Sequence, residues 1–172
     1  MRLARSTVSL TAAVLLAACG ALGTQPTGDP GDRVLTQLRS AVTATVPTGA
    51  QVKSFKSYPT HFHSKCPDNP SGQNGWDAVR VQVLFSTQQP EMSIASTINS
   101  ILLSQGWVRH DVESEVYIYG DNHSVQQKIP QWTKTAPSGS NLTLSLYPEN
   151  SGPQDLALEG RWDPPGFSLP GC

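Results

Sequence analysis

Residues 79–86 read Val79-Arg80-Val81-Gln82-Val83-Leu84-Phe85-Ser86. Val79, Val81, Val83 and Phe85 alternate with Arg80, Gln82 and Leu84. A strand with this pattern buries one face and leaves the other mostly polar, as in an antiparallel sheet covered on one side only. The strand is expected over Trp76–Ser86. Pro90 then opens a helix whose apolar stripe is Ile94, Ile98, Ile101 and Leu102, and Gly106 ends it.

The flanking segments fit the same sheet. Asp29-Pro30-Gly31-Asp32 starts an earlier helix: Asp29 can cap it, Pro30 suits its first position, and Asp32 favours its positive end. Val34, Leu38, Ala41, Val42 and Val46 form one stripe, and Pro47 and Gly49 stop it. Gln51–Tyr58 reads as a strand. Trp107–Val112 and Val116–Tyr119 read as strands joined by a short turn. Gln126–Thr135 leaves its type open, with a strand around Trp132 as one reading. Leu142, Leu144 and Leu146, then Leu156, Leu158 and Trp162, form a hairpin across the turn Asn150-Ser151-Gly152-Pro153. The order predicts an α+β fold, a two-layer sandwich with two helices on one face of a mainly antiparallel sheet, held by one disulfide.

The N-terminus carries a different message. Arg2 and Arg5 precede a short apolar run ending in Ala12-Ala13-Val14-Leu15-Leu16-Ala17-Ala18, followed by Cys19. A basic start, a short apolar core and small residues before a cut describe a secretory signal, and the run is short of the ~20 residues a spanning helix needs. Leu16-Ala17-Ala18-Cys19 resembles the bacterial lipobox. The resemblance implies cleavage between Ala18 and Cys19 and a diacylglycerol on the Cys19 thiol. Residues 1–18 are then the signal peptide, 19–31 the lipidated cysteine and a flexible Gly/Pro/Thr tether, and 32–172 a single α+β domain. The tether could hold the domain up to ~35 Å from the bilayer. Cys66 and Cys172 remain. Two thiols outside the cytoplasm most simply form one disulfide; two free thiols, or Cys66 as a metal ligand, are the rivals.

The lipobox, the tether, Gly106-Trp107 after an amphipathic helix, Trp162-Asp163-Pro164-Pro165-Gly166 and the terminal Gly171-Cys172 are similar to small actinobacterial cell-envelope lipoproteins. That resemblance implies a place on the outer face of the cytoplasmic membrane, held by the lipid anchor, and a style of fold. It carries over no catalytic residue.

Charge and chemistry narrow the function. The chain has 12 bases and 13 acids, and the leader removes Arg2 and Arg5. Overall charge therefore cannot drive nucleic-acid binding. With 37% hydrophobic residues the chain can fill a core. His61 and His63 alternate before Cys66 and are the only metal-ligand pattern; an exposed loop beside a disulfide is the plainer reading. Glu113 and Glu115, with His110, are the nearest approach to an acid/base set. Exposed acids at a strand end explain the two glutamates equally well, and an edge-strand residue explains His110. No catalytic constellation or cofactor motif stands out. Trp76, Trp107, Trp132 and Trp162 suit an interface, but packing against the helices is the plainer reading, for Trp107 and Trp162 above all. Arg80, Gln82, Thr143, Ser145, Tyr147, Glu159 and Arg161 should share the polar sheet face, either solvated or a docking surface for an envelope protein or wall component. The leading expectation is a non-enzymatic binding module; a carrier with an apolar cavity and an envelope-polymer hydrolase are the alternatives.

Overall fold

The stripe Val34, Leu38, Ala41, Val42 becomes the buried side of α1 (Asp32–Thr45), in a computed structural model that describes residues 31–63, 75–117, 124–136, 139–149, 151–152 and 154–164. There follow β1 (Gln51–Tyr58), β2 (Phe62–His63), β3 (Gly75–Trp76), β4 (Val79–Ser86), α2 (Glu91–Ser104), β5 (Val108–Tyr117), β6 (Ser124–Thr135), β7 (Asn141–Pro148) and β8 (Asp155–Trp162). Six strands form one sheet in the order β1-β4-β8-β7-β6-β5, and every neighbouring pair is antiparallel. β5 to β8 run as a meander, and β8 closes the sheet by pairing β4. β2 and β3 form a separate small ribbon. The fold is α+β. No helix among the described residues is long and apolar enough to cross a membrane.

Both helices lie on one sheet face. Register carries the core across the central strands: Val79 faces Trp162, Val83 faces Leu158, Phe85 faces Leu156, and Leu146 faces Leu158 from the other side. Leu38 and Val42 from α1 and Ile94, Ile98 and Leu102 from α2 fill the layer above them, all fully buried. Each such side chain contributes about 1.5–3 kcal/mol relative to exposure, so this layer dominates stability. Gly160, in the middle of β8, sits between Val81 and Leu144. A Cβ there would lie 3.1 Å from a Leu38 methyl and 3.2 Å from a Leu144 methyl. The missing side chain is what lets α1 settle closely on the sheet.

Several sequence expectations need adjustment. The expected turn between Val112 and Val116 is absent: Val108–Tyr117 is one strand, because β6 pairs it along its whole length. Trp76–Ser86 is interrupted at Asp77-Ala78, where the chain passes from the ribbon to β4. The open type of Gln126–Thr135 resolves as strand. Hydrogen bonds gather the base of the 59–75 connection: Thr60 donates to the Asp77 carbonyl at 2.6 Å, the Asp77 N–H donates to the His61 carbonyl at 3.0 Å, and the His61 N–H donates to the Asp77 carboxylate. Phe62 meets Trp76 edge-on at 5.4 Å. Asp29, Pro30, Cys19, Cys66 and Cys172 lie outside the described residues, as do the leader and the tether up to Gly31, which caps α1.

Candidate functional site

The sheet face opposite the helices is built by register alone. Lys56, Gln82, Glu159, Ser145, Gln131 and His110 stand side by side, one from each of the six strands. A second row, about 7 Å away along the strands, holds Tyr58, Arg80, Arg161, Thr143, Thr133 and Val108. The seven residues expected on the polar face are all on these rows or, for Tyr147, on the next one. The face is cross-linked by its own side chains. Gln131 donates to Ser145 at 3.0 Å, His110 shares a 2.8 Å hydrogen bond with Thr133, and the Arg80 guanidinium lies 5.0 Å over the Tyr58 ring. Arg161 is held by Asp163 at 2.8 Å.

This face is not flat. β6 pairs β7 only from Gln131 to Thr135. Pro130, which has no N–H to donate, stands where the pairing stops. From there Ser124–Ile129 continues with β5 as a two-stranded arm, while β7 runs on beside β8. The two strands part like a fork. Val116 and Ile129 are buried although they point to the side that carries no helix, so the arm curls toward that side. A cleft of about 490 Å³ results. Val112, Val116 and Ile129 form its apolar wall, and Ser145, Tyr147 and Glu159 its polar wall. A second cleft of about 600 Å³ opens between the start of α2 and the β7–β8 turn, and Pro148 and Glu149 line both. The parting of β6 and β7 is therefore hollow on two sides.

Tyr147 organises the polar wall. Its hydroxyl accepts from Gln82 at 3.0 Å and donates to Glu159 at 3.3 Å. Burial, and then the Glu159 charge, push the phenol up to about 12. Tyr147 is thus a protonated donor across the physiological range, not a base. Glu149 and Glu159 have no ion-pair partner among the described residues. The contrast with Asp155, on the same strand as Glu159, is direct. Its side chain is 2% exposed and takes hydrogen bonds from Lys53 at 2.6 Å, Ser86 at 2.7 Å and Ser151 at 2.8 Å. Burial alone would raise its pKa, but these donors and the Lys53 charge outweigh it and hold the carboxyl below its usual value.

The other expected groups do not assemble. Glu113 and Glu115 share a face of β5, as extended chain requires, but His110 points to the opposite one. Glu113 lies 3.9 Å from Lys128, and Glu115 accepts from the Ser124 hydroxyl. His61 is exposed, the side chain of His63 lies outside the described residues, and no three His, Cys, Asp or Glu among the described residues converge to hold a metal. All four tryptophans are buried, Trp132 giving its indole N–H to Asn99 at 3.1 Å and Trp162 to Ser140 at 2.6 Å. The space between helices and sheet, where the alternative carrier reading would need a cavity, is occupied by Trp107, Trp132, Trp162 and the aliphatic core. The cleft itself escaped sequence reading; Pro130 inside a strand was its one available signal.

No protein-family model, no curated protein and no solved structure matches this chain.

Proposed function

We propose that this chain is a lipid-anchored, extracytoplasmic lipoprotein of the bacterial cell envelope. Its folded domain is a non-enzymatic module that binds an envelope partner through the open sheet face. The observation that supports this reading is the open face itself: two registered rows of mainly polar side chains, ending in a cleft, with no helix over them among the described residues. Solvated sheet faces are common, but the hollow between β6 and β7 is not a solvation requirement. Lipidation at Cys19 after removal of residues 1–18, a tether up to Gly31, and a Cys66–Cys172 disulfide belong to the same proposal.

The test combines mass and recovery. Protein extracted gently from its own membranes should have the mass of residues 19–172 plus acyl chains, about 2 Da below the reduced form. Retention of residues 1–18, or absence of acyl chains, would overturn the anchored reading. After cross-linking in intact cells, Arg80→Ala with Tyr147→Ala should lower recovery of cross-linked partner at least about fivefold. Unchanged recovery would remove the open face from the proposal.

A further inference from the structure

We propose that the fork between β6 and β7 accepts an extended polypeptide segment carrying a lysine or arginine, which adds as a strand along the β6 edge at Ser124–Ile129 and places the basic side chain beside Glu149 and Glu159. This rests on the binding-module reading above and names its ligand chemistry.

Three observations carry it. The first is backbone. In an antiparallel strand the N–H and C=O groups of alternate residues point to alternate sides. Ser124–Ile129 pairs with β5 on one side and with no described strand on the other. The free side therefore presents a periodic row of donors and acceptors. A polypeptide backbone matches that repeat; a sugar or an acyl chain does not. The second is space. Clefts of about 490 and 600 Å³ flank the fork, with Pro148 and Glu149 common to both. An added strand sends successive side chains to opposite faces, and each face here has a hollow to receive them. The third is charge. The carboxylates on the open-face side of the cleft are Glu149 and Glu159, and its lining holds no lysine or arginine; Glu113 and Glu115 line it too but stand on the opposite face of β5. Glu113 already lies near Lys128, whereas Glu149 and Glu159 have no ion-pair partner among the described residues. The wall of Val112, Val116 and Ile129 suits the methylene stem of a basic side chain whose head reaches the carboxylates. The opposite edge of the sheet is less suited: β1 carries Lys53 and Lys56 and a register irregularity between Val52 and Ser54.

The test uses the mature chain and fluorescein-labelled octapeptides in which lysine alternates with valine or threonine. Fluorescence polarisation should show saturable binding. Replacing the lysines by glutamate should abolish it. Backbone N-methylation at one set of alternate residues should weaken binding about tenfold or more, while methylation at the other set leaves it nearly intact, as an edge-paired strand requires. Glu149→Gln with Glu159→Gln should weaken binding about fivefold and flatten its salt dependence. If that variant fails to fold, the glutamate peptide carries the same charge test without altering the protein. Absence of saturable binding, or equal effects of the two methylation sets, would overturn the inference. If the peptides fail while partner recovery still depends on Arg80 and Tyr147, strand addition is wrong and the binding-module reading stands. If recovery is also indifferent, both fall.

Discussion

The two halves of β6 lie in one continuous strand and live in different surroundings. Residues 131–133 pair β5 on one side and β7 on the other, residues 134–135 continue with β7, and Trp132 is fully buried beneath α2. Residues 124–129 pair β5 alone, and Val125 is 39% exposed. Local sequence makes both halves strand. What separates them is the second neighbour and the covering helix, which set how much apolar surface is buried and how many edge groups are satisfied. One half is therefore scaffold, and the other keeps an edge that pairs with no described strand. The carboxylates of β8 repeat the contrast: Asp155 is enclosed by three donors, while Glu159 faces the cleft.

The comparison can be broken most severely from the scaffold side. Trp132→Ala should cost about 3–5 kcal/mol in urea unfolding, through a large cavity and an orphaned Asn99. Tyr117→Ala in the arm should stay within about 0.5 kcal/mol. Similar losses at both sites would mean that the arm is packed as firmly as the sheet.

Asp155→Asn should cost about 2 kcal/mol at neutral pH, by weakening a charge-assisted set of hydrogen bonds. Its pH dependence fixes the sign. A carboxyl whose pKa is depressed on folding binds fewer protons in the native state, so it stabilises fully above its unfolded value, about 3.9. That contribution is lost as pH falls through the lower folded value. The urea midpoint of the native protein should therefore drop more steeply below about pH 4 than that of the variant. Parallel curves would show that Asp155 is not a stabilising node.

Hydrogen exchange sharpens the comparison directly. Amides of residues 131–135 that point to β7 should exchange at least about tenfold more slowly than the fork-facing amides of 124–129. Uniform protection along β6 would mean that the free edge is already covered. The smallest effect is expected at the exposed Glu113–Lys128 pair, 3.9 Å apart. Lys128→Ala should change stability by less than about 0.5 kcal/mol, and a larger loss would give the arm an electrostatic role that its geometry does not suggest.

Much of the scaffold was legible because it follows from short-range periodicity. The alternation at residues 79–86 and 142–146 names the buried face, and the stripes in α1 and α2 name what covers it. The error at residues 113–115 has a specific cause. Glu113-Ser114-Glu115 looks like a turn when read alone, but pairing with Lys128, Gln127 and Gln126 holds it extended. The polar-face residues were legible by parity, since every second residue of a registered strand must share a side. Their assembly into a cleft was not, because Tyr147 and Val112 are brought together by the curl of an arm that no local pattern encodes.

The sequence by itself determined both helices with their stripes, the central and C-terminal strands and the parity of their faces, because these depend on neighbours within a few residues; the types of residues 113–115 and 126–135 needed their partner strands. Only the tertiary structure decided that β8 lies between β4 and β7, that Gly160 sits under α1, and that β6 leaves β7 at Pro130. Those choices depend on how closely distant segments approach and on which edge groups find partners, and both are properties of the assembled sheet.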